Sequence, residues 1–308
     1  MSHLNVLLIG ASGAWGTPLV QEFIKQKSSF GRIAILARSD AHREKFEYAS
    51  QAGIDVVVGS FLDSTSYQGF DTVLSLVGNP VLRLQPAMIE AAVQAGVKHF
   101  YLSEWNSDID QPAIANMRYF RDKQATRAHA HAVAKENSEF KYTIFITGIF
   151  TEWVLMFGWD HEKNSAVVYG EPEKRVGSTS IPDIARFTVQ SLLIPFTENG
   201  GKHFPGRRTL RVQGGSKPYG ELVADLEAAR GVKYDVEYRD PAEALALMEK
   251  ARQEGDEAGE MFWSIRTLPA SGFGVADGKE NGAKLDNELF DFTPETQTET
   301  HKRFWKQG

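Results

Sequence analysis

The sequence predicts an α/β protein: a doubly wound parallel sheet followed by a smaller, mostly helical C-terminal domain. Three observations carry that reading. Short apolar runs recur through the first half of the chain, helix-length amphipathic segments separate them, and a glycine-rich turn follows the first run directly.

The runs are Val6 to Ile9, Ile33 to Leu36, Val56 to Val58, Thr72 to Leu76, Phe100 to Leu102 and Tyr142 to Ile146, and they predict six strands. Their Val/Ile/Leu-rich character on both faces is the pattern of a parallel sheet covered by helices. Between them, Leu19, Val20, Phe23 and Ile24 mark one apolar helix face. Met88, Ile89, Ala92 and Val93 mark another, closed by Gly96. After about Phe150 the alternation stops. Ser180-Ile181-Pro182-Asp183 reads as a helix start, Asp240-Pro241-Ala242-Glu243 as a capping-box variant with proline at the first helical position, and Thr293-Pro294 as a third capping signal. We therefore expect a nucleotide-binding domain over 1–152 and a substrate domain over 153–308, with part of 179–196 returning to the first. Part of Gly255 to Gly282, polar and glycine-rich with aromatics at Phe262, Trp263 and Phe273, reads as a mobile flap.

Composition removes several function classes. The 308 residues are 42% hydrophobic and 24% charged, as in a folded soluble protein, and the absence of cysteine excludes disulfides, thiolate nucleophiles and sulfur-ligated zinc. Thirty-four basic residues interspersed with 40 acidic ones give a net charge of −6, which argues against a nucleic-acid partner. No basic region precedes a long apolar run at the start. The stretch Tyr142 to Trp159 is interrupted by Thr143, Thr147, Gly148, Thr151 and Glu152, so neither a secretory signal nor a membrane span is expected, and a cytoplasmic location is. His129 and His131 point different ways on a helix, and His161-Glu162 lacks the second histidine of a zincin, so no metal site is expected. The signatures of α/β-hydrolases and P-loop enzymes are absent. Asp108 and Asp110 read as solvated loop acids. Oligomeric state is not legible.

The turn after the first run is Gly10-Ala11-Ser12-Gly13-Ala14-Trp15-Gly16, opening a helix. A glycine at 10 makes the tight turn, one at 13 removes a side chain where a pyrophosphate must approach, and one at 16 lets helix and strand pack closely. Free N–H groups and the helix dipole then face the phosphates. This is the Rossmann-type dinucleotide turn, with Gly10, Ser12, Gly13, Trp15 and Gly16 as cofactor-binding candidates. At the end of the second run stands Arg38, whose planar fork suits a 2′-phosphate and selects NADP(H), with Arg43 or Lys45 as helpers; Asp40 keeps NAD as the alternative.

With these residues the chain resembles the NmrA-like and isoflavone reductase-like family of atypical short-chain dehydrogenases, particularly its fungal members. The likeness covers most of the first half. It extends over Asp71-Thr72-Val73-Leu74-Ser75-Leu76-Val77-Gly78, Ala95-Gly96-Val97-Lys98-His99-Phe100, Leu102-Ser103-Glu104-Trp105, Phe120-Arg121-Asp122-Lys123 and Thr147-Gly148-Ile149-Phe150. The resemblance implies that Val77 and Gly78 line the cofactor, that Lys123 contacts the nicotinamide ribose as the candidate catalytic lysine, and that Phe150 packs near the nicotinamide. The family's P-S-E-F-G segment reads Leu102-Ser103-Glu104-Trp105-Asn106 here, so the adjoining pocket differs in shape and polarity.

Tyr119 stands one helical turn before Lys123, the spacing at which an ammonium stabilises a tyrosinate, which makes Tyr119 a second catalytic candidate; packing against the sheet is its alternative. Ser103 or Ser107 would complete a serine–tyrosine–lysine set, or serve to cap backbone groups. Glu104, Trp105, Trp153 and Phe157 are candidates for an aromatic substrate wall with one carboxylate, core packing being the competing reading of the two residues four apart. The expected function is an NADP(H)-dependent oxidoreductase reducing a carbonyl or conjugated double bond of a small aromatic or polycyclic molecule, in secondary metabolism by resemblance. An NADP-sensing regulator without turnover and a redox-neutral cyclase or isomerase are the alternatives.

Overall fold

The computed structural model describes residues 3–272, 274–275 and 284–306, so Phe273 and positions 276–283 of the expected flap lie outside the described residues. The chain divides into two compact units, each discontinuous in sequence. The first comprises Met1–Glu104, Asp122–Phe145 and Ala185–Leu210; the second comprises Trp105–Arg121, Ile146–Ile184 and Arg211–Gly308. Where the sequence suggested one boundary after residue 152, residues 105–121 and 146–152 group with the second unit, and the segment rejoining the first is 185–210.

The first unit holds all but the last residues of a seven-stranded sheet: β1 (Val6–Ile9), β2 (Ile33–Ala37), β3 (Asp55–Val58), β4 (Thr72–Ser75), β5 (His99–Asn106), β6 (Lys141–Ile146) and β7 (Arg207–Arg211). They lie in the order β7-β6-β5-β4-β1-β2-β3. β1 runs parallel to β2 and β4, pairing Val6 with Ile33 and Thr72. The strand order reverses at β1, where doubly wound sheets open the crevice that receives a ligand. Helices α1 (Gly16–Lys25), α2 (Gln85–Gln94), α3 (Arg118–Glu136) and α4 (Ile181–Ser191) follow in the chain. Leu19, Val20 and Phe23 of α1 and Met88, Ile89 and Ala92 of α2 are buried, as their helical spacing required. Each large apolar side chain so covered contributes about 1.5–3 kcal/mol.

β7 was not legible as a strand because its residues, Arg207-Arg208-Thr209-Leu210-Arg211, carry no apolar run. Arg208 is nonetheless buried, and Tyr101 Oη, Thr143 Oγ1 and the Ser191 carbonyl accept its N–H groups.

The second unit departs from the mostly helical expectation. It holds two three-stranded sheets, one of Gly215–Pro218, Arg175–Thr179 and Ile149–Phe150, the other of Asp235–Arg239, Ser165–Tyr169 and Trp159–Asp160. These strands are short and mix charged with apolar residues, so they left no run to detect. Its helices are Tyr219–Arg230, Pro241–Gln253, Glu257–Arg266 and Gln297–Trp305. Asp240 caps the second of these through Ala242 N–H at 2.8 Å. The last begins at a Thr296/Glu299 capping box instead of at Thr293-Pro294. Much of the stretch expected as a flap is the helix Glu257–Arg266, capped by Asp256. The unit's own core gathers Val154, Leu155, Val168, Val176, Tyr219 and Leu222. Among the described residues no helix is long and apolar enough to cross a membrane.

Candidate active site

The three glycines of the first turn differ in what excludes a side chain. Gly10 has φ +79°, and a Cβ there would lie 3.0 Å from the backbone of Leu76 and Val77 at the end of β4. A Cβ on Gly16 would come within 2.4 Å of the Ala11 carbonyl oxygen. Both are demanded by the protein's own packing. Gly13 is not: its Cβ would meet nothing nearer than the Gly10 oxygen at 3.8 Å. The Gly13 carbonyl accepts from Gly16 N–H at 3.0 Å and Thr17 N–H at 3.4 Å, which starts α1. The N–H groups of Ser12, Gly13 and Ala14 have no partner among the described residues, and all three residues are exposed. No acidic residue stands in the first turn of α1 to compete for the positive end of its dipole. Bare backbone donors, open space and a helix N-terminus thus coincide, and they fit a diphosphate. Trp15, at the same turn, is buried.

Arg38 follows β2 directly and is exposed. Its Nη2 lies 3.2 Å from His42 Nε2, while His42 Nδ1 lies 3.0 Å from Ser39 Oγ. Since the guanidinium only donates, Nε2 accepts and Nδ1 carries the hydrogen given to Ser39. Arg43 and Lys45 are exposed on the helical segment that follows. Sequence reasoning missed Ser39 and His42 as companions of Arg38, although a Ser-x-x-His run beside it was the available signal.

Val77 and Gly78 follow β4 and lie at the sheet edge of the same turn, Leu76 N–H donating to Ile9 O at 2.8 Å. Ser103 Oγ donates to the Val77 carbonyl at 2.8 Å, and Ser103 N–H to Gln85 Oε1 at 2.9 Å. Its hydroxyl proton therefore ties β5 to the end of β4. Lys123, on α3, is buried in the first unit. Burial lowers its pKa to about 8, with Glu104 pulling it up and Arg127 pushing it further down. Glu104, expected at the substrate wall, is buried beneath Arg127, which holds both of its oxygens; it is absent from the lining of the apolar pocket described next.

That pocket belongs wholly to the second unit. Trp105, Tyr119, Phe120, Phe150, Trp153 and Phe157 supply its aromatic walls, Ile265, Leu268 and Pro269 an aliphatic side, and Asn106 and Ser107 its polar edge. It encloses about 590 Å³ including the open solvent at its mouth, and among the described residues no charged side chain lines it. Gly148 makes the turn after β6 possible: φ is +69°, and a Cβ would strike the Gly177 carbonyl at 2.2 Å. That turn sets Phe150, whose ring centroid is 4.7 Å from that of Trp153. Thr151–Trp153 is a short 3-10 turn, so Trp153 and Phe157 are not one face of an α-helix. Phe157 is exposed. The Tyr119 ring meets Phe120 edge-on at 4.9 Å, and burial raises its pKa, so its hydroxyl stays protonated. Of the two serines weighed for a serine–tyrosine pairing, Ser107 lines the pocket with Tyr119 and Ser103 does not. Asp108 accepts from Arg211 Nη2 at 2.6 Å and from Asp110 N–H at 3.1 Å, a structural role for the loop acid.

The sequence pattern of the NmrA-like family matches residues 2–208, two thirds of the chain. The chain belongs to the NmrA-like family. It is 24% identical over 258 residues to the oxidoreductase aprR of Aspergillus flavus, covering 82% of this chain and 84% of that one. Its fold is similar to that of isoflavone reductase, with a TM-score of 0.74, 18% identity and coverage of 98% and 100%. It is equally similar to AtPrR2 solved with NADP+ and (+)pinoresinol, with a TM-score of 0.74, 18% identity and coverage of 99% of each chain. This NmrA-like chain thus shares an isoflavone reductase-type architecture over essentially its whole length.

Other site residues of this NmrA-like protein could not be found from sequence. Ile265, Leu268 and Pro269 reach the pocket from more than a hundred residues beyond Phe157, and nothing local marks them. Arg127 lies four residues after Lys123, on the same helical face, but its partner Glu104 is 23 positions away.

Proposed function

We propose that this NmrA-like protein is an NADPH-dependent reductase of a small, uncharged aromatic molecule carrying a carbonyl or a conjugated double bond. The observation that carries the reading is the open Gly13 beside three unpartnered backbone N–H groups, a vacancy in side-chain packing that the fold itself does not require. Ser12, Gly13 and Ala14 would hold the diphosphate through backbone N–H groups. Arg38, steadied by His42, would hold the 2′-phosphate, and Val77 and Gly78 would border the nicotinamide end. NADPH, when bound, supplies the hydride.

The protein's own groups do the rest. The aromatic walls of the second unit's pocket exclude water and orient a flat ring, and a lining that is uncharged among the described residues disfavours a substrate bearing a carboxylate or ammonium. Tyr119 Oη, kept protonated, donates a hydrogen bond to a carbonyl oxygen. Lys123 Nζ, with its pKa near 8, holds a proton that it can release close to neutral pH. The fungal oxidoreductase relative supports a role in fungal metabolism. Calorimetry with NADPH and NADH tests the cofactor, and loss of NADPH absorbance across a panel of neutral aromatic ketones and enones tests the reaction. Binding without consumption on every substrate would favour sensing, and product formation at constant NADPH would favour a redox-neutral reaction; either result overturns the reductase reading.

A further inference from the structure

Trp153, one aromatic wall of the pocket, ends a single 3-10 turn of three residues, Thr151–Trp153. Such a turn has few and poorly aligned hydrogen bonds of its own, so its shape is set by what grips it from outside. Within the second unit the grip comes from the last helix, Gln297–Trp305. This helix buries a polar set, Gln297, Thr300 and His301. Gln297 Nε2 donates to Ser178 Oγ and to the Val176 carbonyl, each at 2.8 Å. Ser178 Oγ in turn lies 2.8 Å from Thr151 Oγ1, the first residue of the turn. The second residue, Glu152, is 3% exposed. Its Oε1 accepts from Arg303 Nη2 at 3.1 Å, across 151 positions of sequence. Its Oε2 accepts from Ile181 N–H at 3.0 Å, one of the donors left free at the start of α4. Arg303 is itself held from the other side by Glu295, Nε reaching Oε1 at 3.0 Å and Nη2 reaching Oε2 at 2.9 Å.

We propose that Arg303 is a positioning residue for the pocket: bridging Glu295 and the buried Glu152, it fixes the turn from which Trp153 meets the substrate. The proposal rests on the reading of this pocket as the substrate site. A buried ion pair is a weak source of stability in itself, since desolvation offsets most of the attraction. Its worth here lies in direction. Apolar contacts hold two surfaces together without fixing their orientation, whereas a guanidinium fork between two carboxylates admits few geometries. With Thr151 tied through Ser178 and Glu152 tied through Arg303 and Ile181, both residues before Trp153 are anchored, and the half-buried indole follows from a fixed backbone.

The test is ¹⁹F NMR of the full chain carrying 5-fluorotryptophan at its six tryptophans. Trp153 is assigned by the loss of its signal in Trp153→Phe, and Trp15, in the first unit, is the internal reference. Arg303→Met and Glu152→Gln should each shift or split the Trp153 signal and leave that of Trp15 in place, with Arg303→Lys nearer the wild type. Since the two residues act through one contact, the double variant should move the signal no further than either single one. Thermal melts report whether each variant is folded. The double variant buries no unpaired carboxylate and keeps the test available should Arg303→Met fail. A Trp153 signal that stays in place in the folded variants, whatever happens to their stability, would overturn the proposal, as would a double variant displaced by the sum of the two. For a substrate that the wild type reduces, kcat/KM should fall by about 10- to 100-fold in Arg303→Met while NADPH affinity holds. A signal that moves while kcat/KM does not supports the brace and counts instead against the pocket as the substrate site.

Discussion

Replacing Gly13 with alanine separates folding from cofactor binding more sharply than any other change at the turn. The new Cβ would sit 3.8 Å from its nearest neighbour, an ordinary contact, and the backbone there is not left-handed. The fold should tolerate it, with a stability change between zero and a gain of about 0.4–1 kcal/mol because the unfolded chain loses freedom. The methyl group would, however, occupy the space beside the N–H groups of Ser12, Gly13 and Ala14. A charge-assisted hydrogen bond contributes about 1.5–3 kcal/mol, so displacing a diphosphate from one or two donors should cost about 2–4 kcal/mol. That corresponds to about 30- to 1,000-fold in the dissociation constant. Calorimetry with NADPH measures the loss, and thermal unfolding without nucleotide shows that the fold is intact. Gly10→Ala is the contrasting variant: its φ of +79° and the 3.0 Å approach to Leu76 and Val77 should lower stability by about 1–2 kcal/mol or more before any ligand is added. If Gly13→Ala bound NADPH as tightly as the wild type, the assignment of this turn to a diphosphate would be wrong.

Arg38→Ala should weaken NADPH by about 10- to 100-fold, through loss of a charge-assisted contact, while NADH changes little; equal losses in competitive binding measurements would refute a 2′-phosphate role. Trp153→Ala should raise KM for an aromatic substrate by about 2- to 10-fold, the worth of one aromatic contact, and leave NADPH affinity unchanged; steady-state kinetics would reject Trp153 as a wall if KM stayed constant. His99 is held neutral by burial and by the charges of Arg208 and Lys141, which lower its pKa well below the usual value. The unfolded chain takes up that proton near pH 6.5 and the folded chain resists it, so the contribution is complete above about pH 6.5 and lost progressively as pH falls below it. Urea unfolding at pH 7.5 and 5.5 should show this loss in the wild type and a smaller one in His99→Gln; an equal loss in both would exclude His99 as its source.

Local chemistry wrote part of this protein into its sequence. Each of the six apolar runs became a strand of the seven-stranded sheet; five of them are buried, and a segment buried on both faces must be apolar whatever surrounds it, while the edge strand Asp55–Val58 is only half-buried to exposed. The glycine turn and Arg38 were legible for the same reason: a tight turn, a bare backbone and a cation after the second strand are set by a few adjacent residues. Distant pairings were not. The arginine-rich β7 pairs at the sheet edge beside β6, and Tyr101, Thr143 and Ser191, all distant in sequence, receive the buried Arg208 side chain. Local sequence offers Glu104 as a substrate carboxylate, whereas Arg127, 23 residues on, holds both of its oxygens in the fold. The apolar pocket joins Trp105, Tyr119, Trp153 and Leu268 from four separated stretches of chain. Turn geometry and strand burial are properties of neighbours in sequence, whereas the charge on a buried lysine and the walls of a cavity depend on residues that only folding brings within a few ångströms.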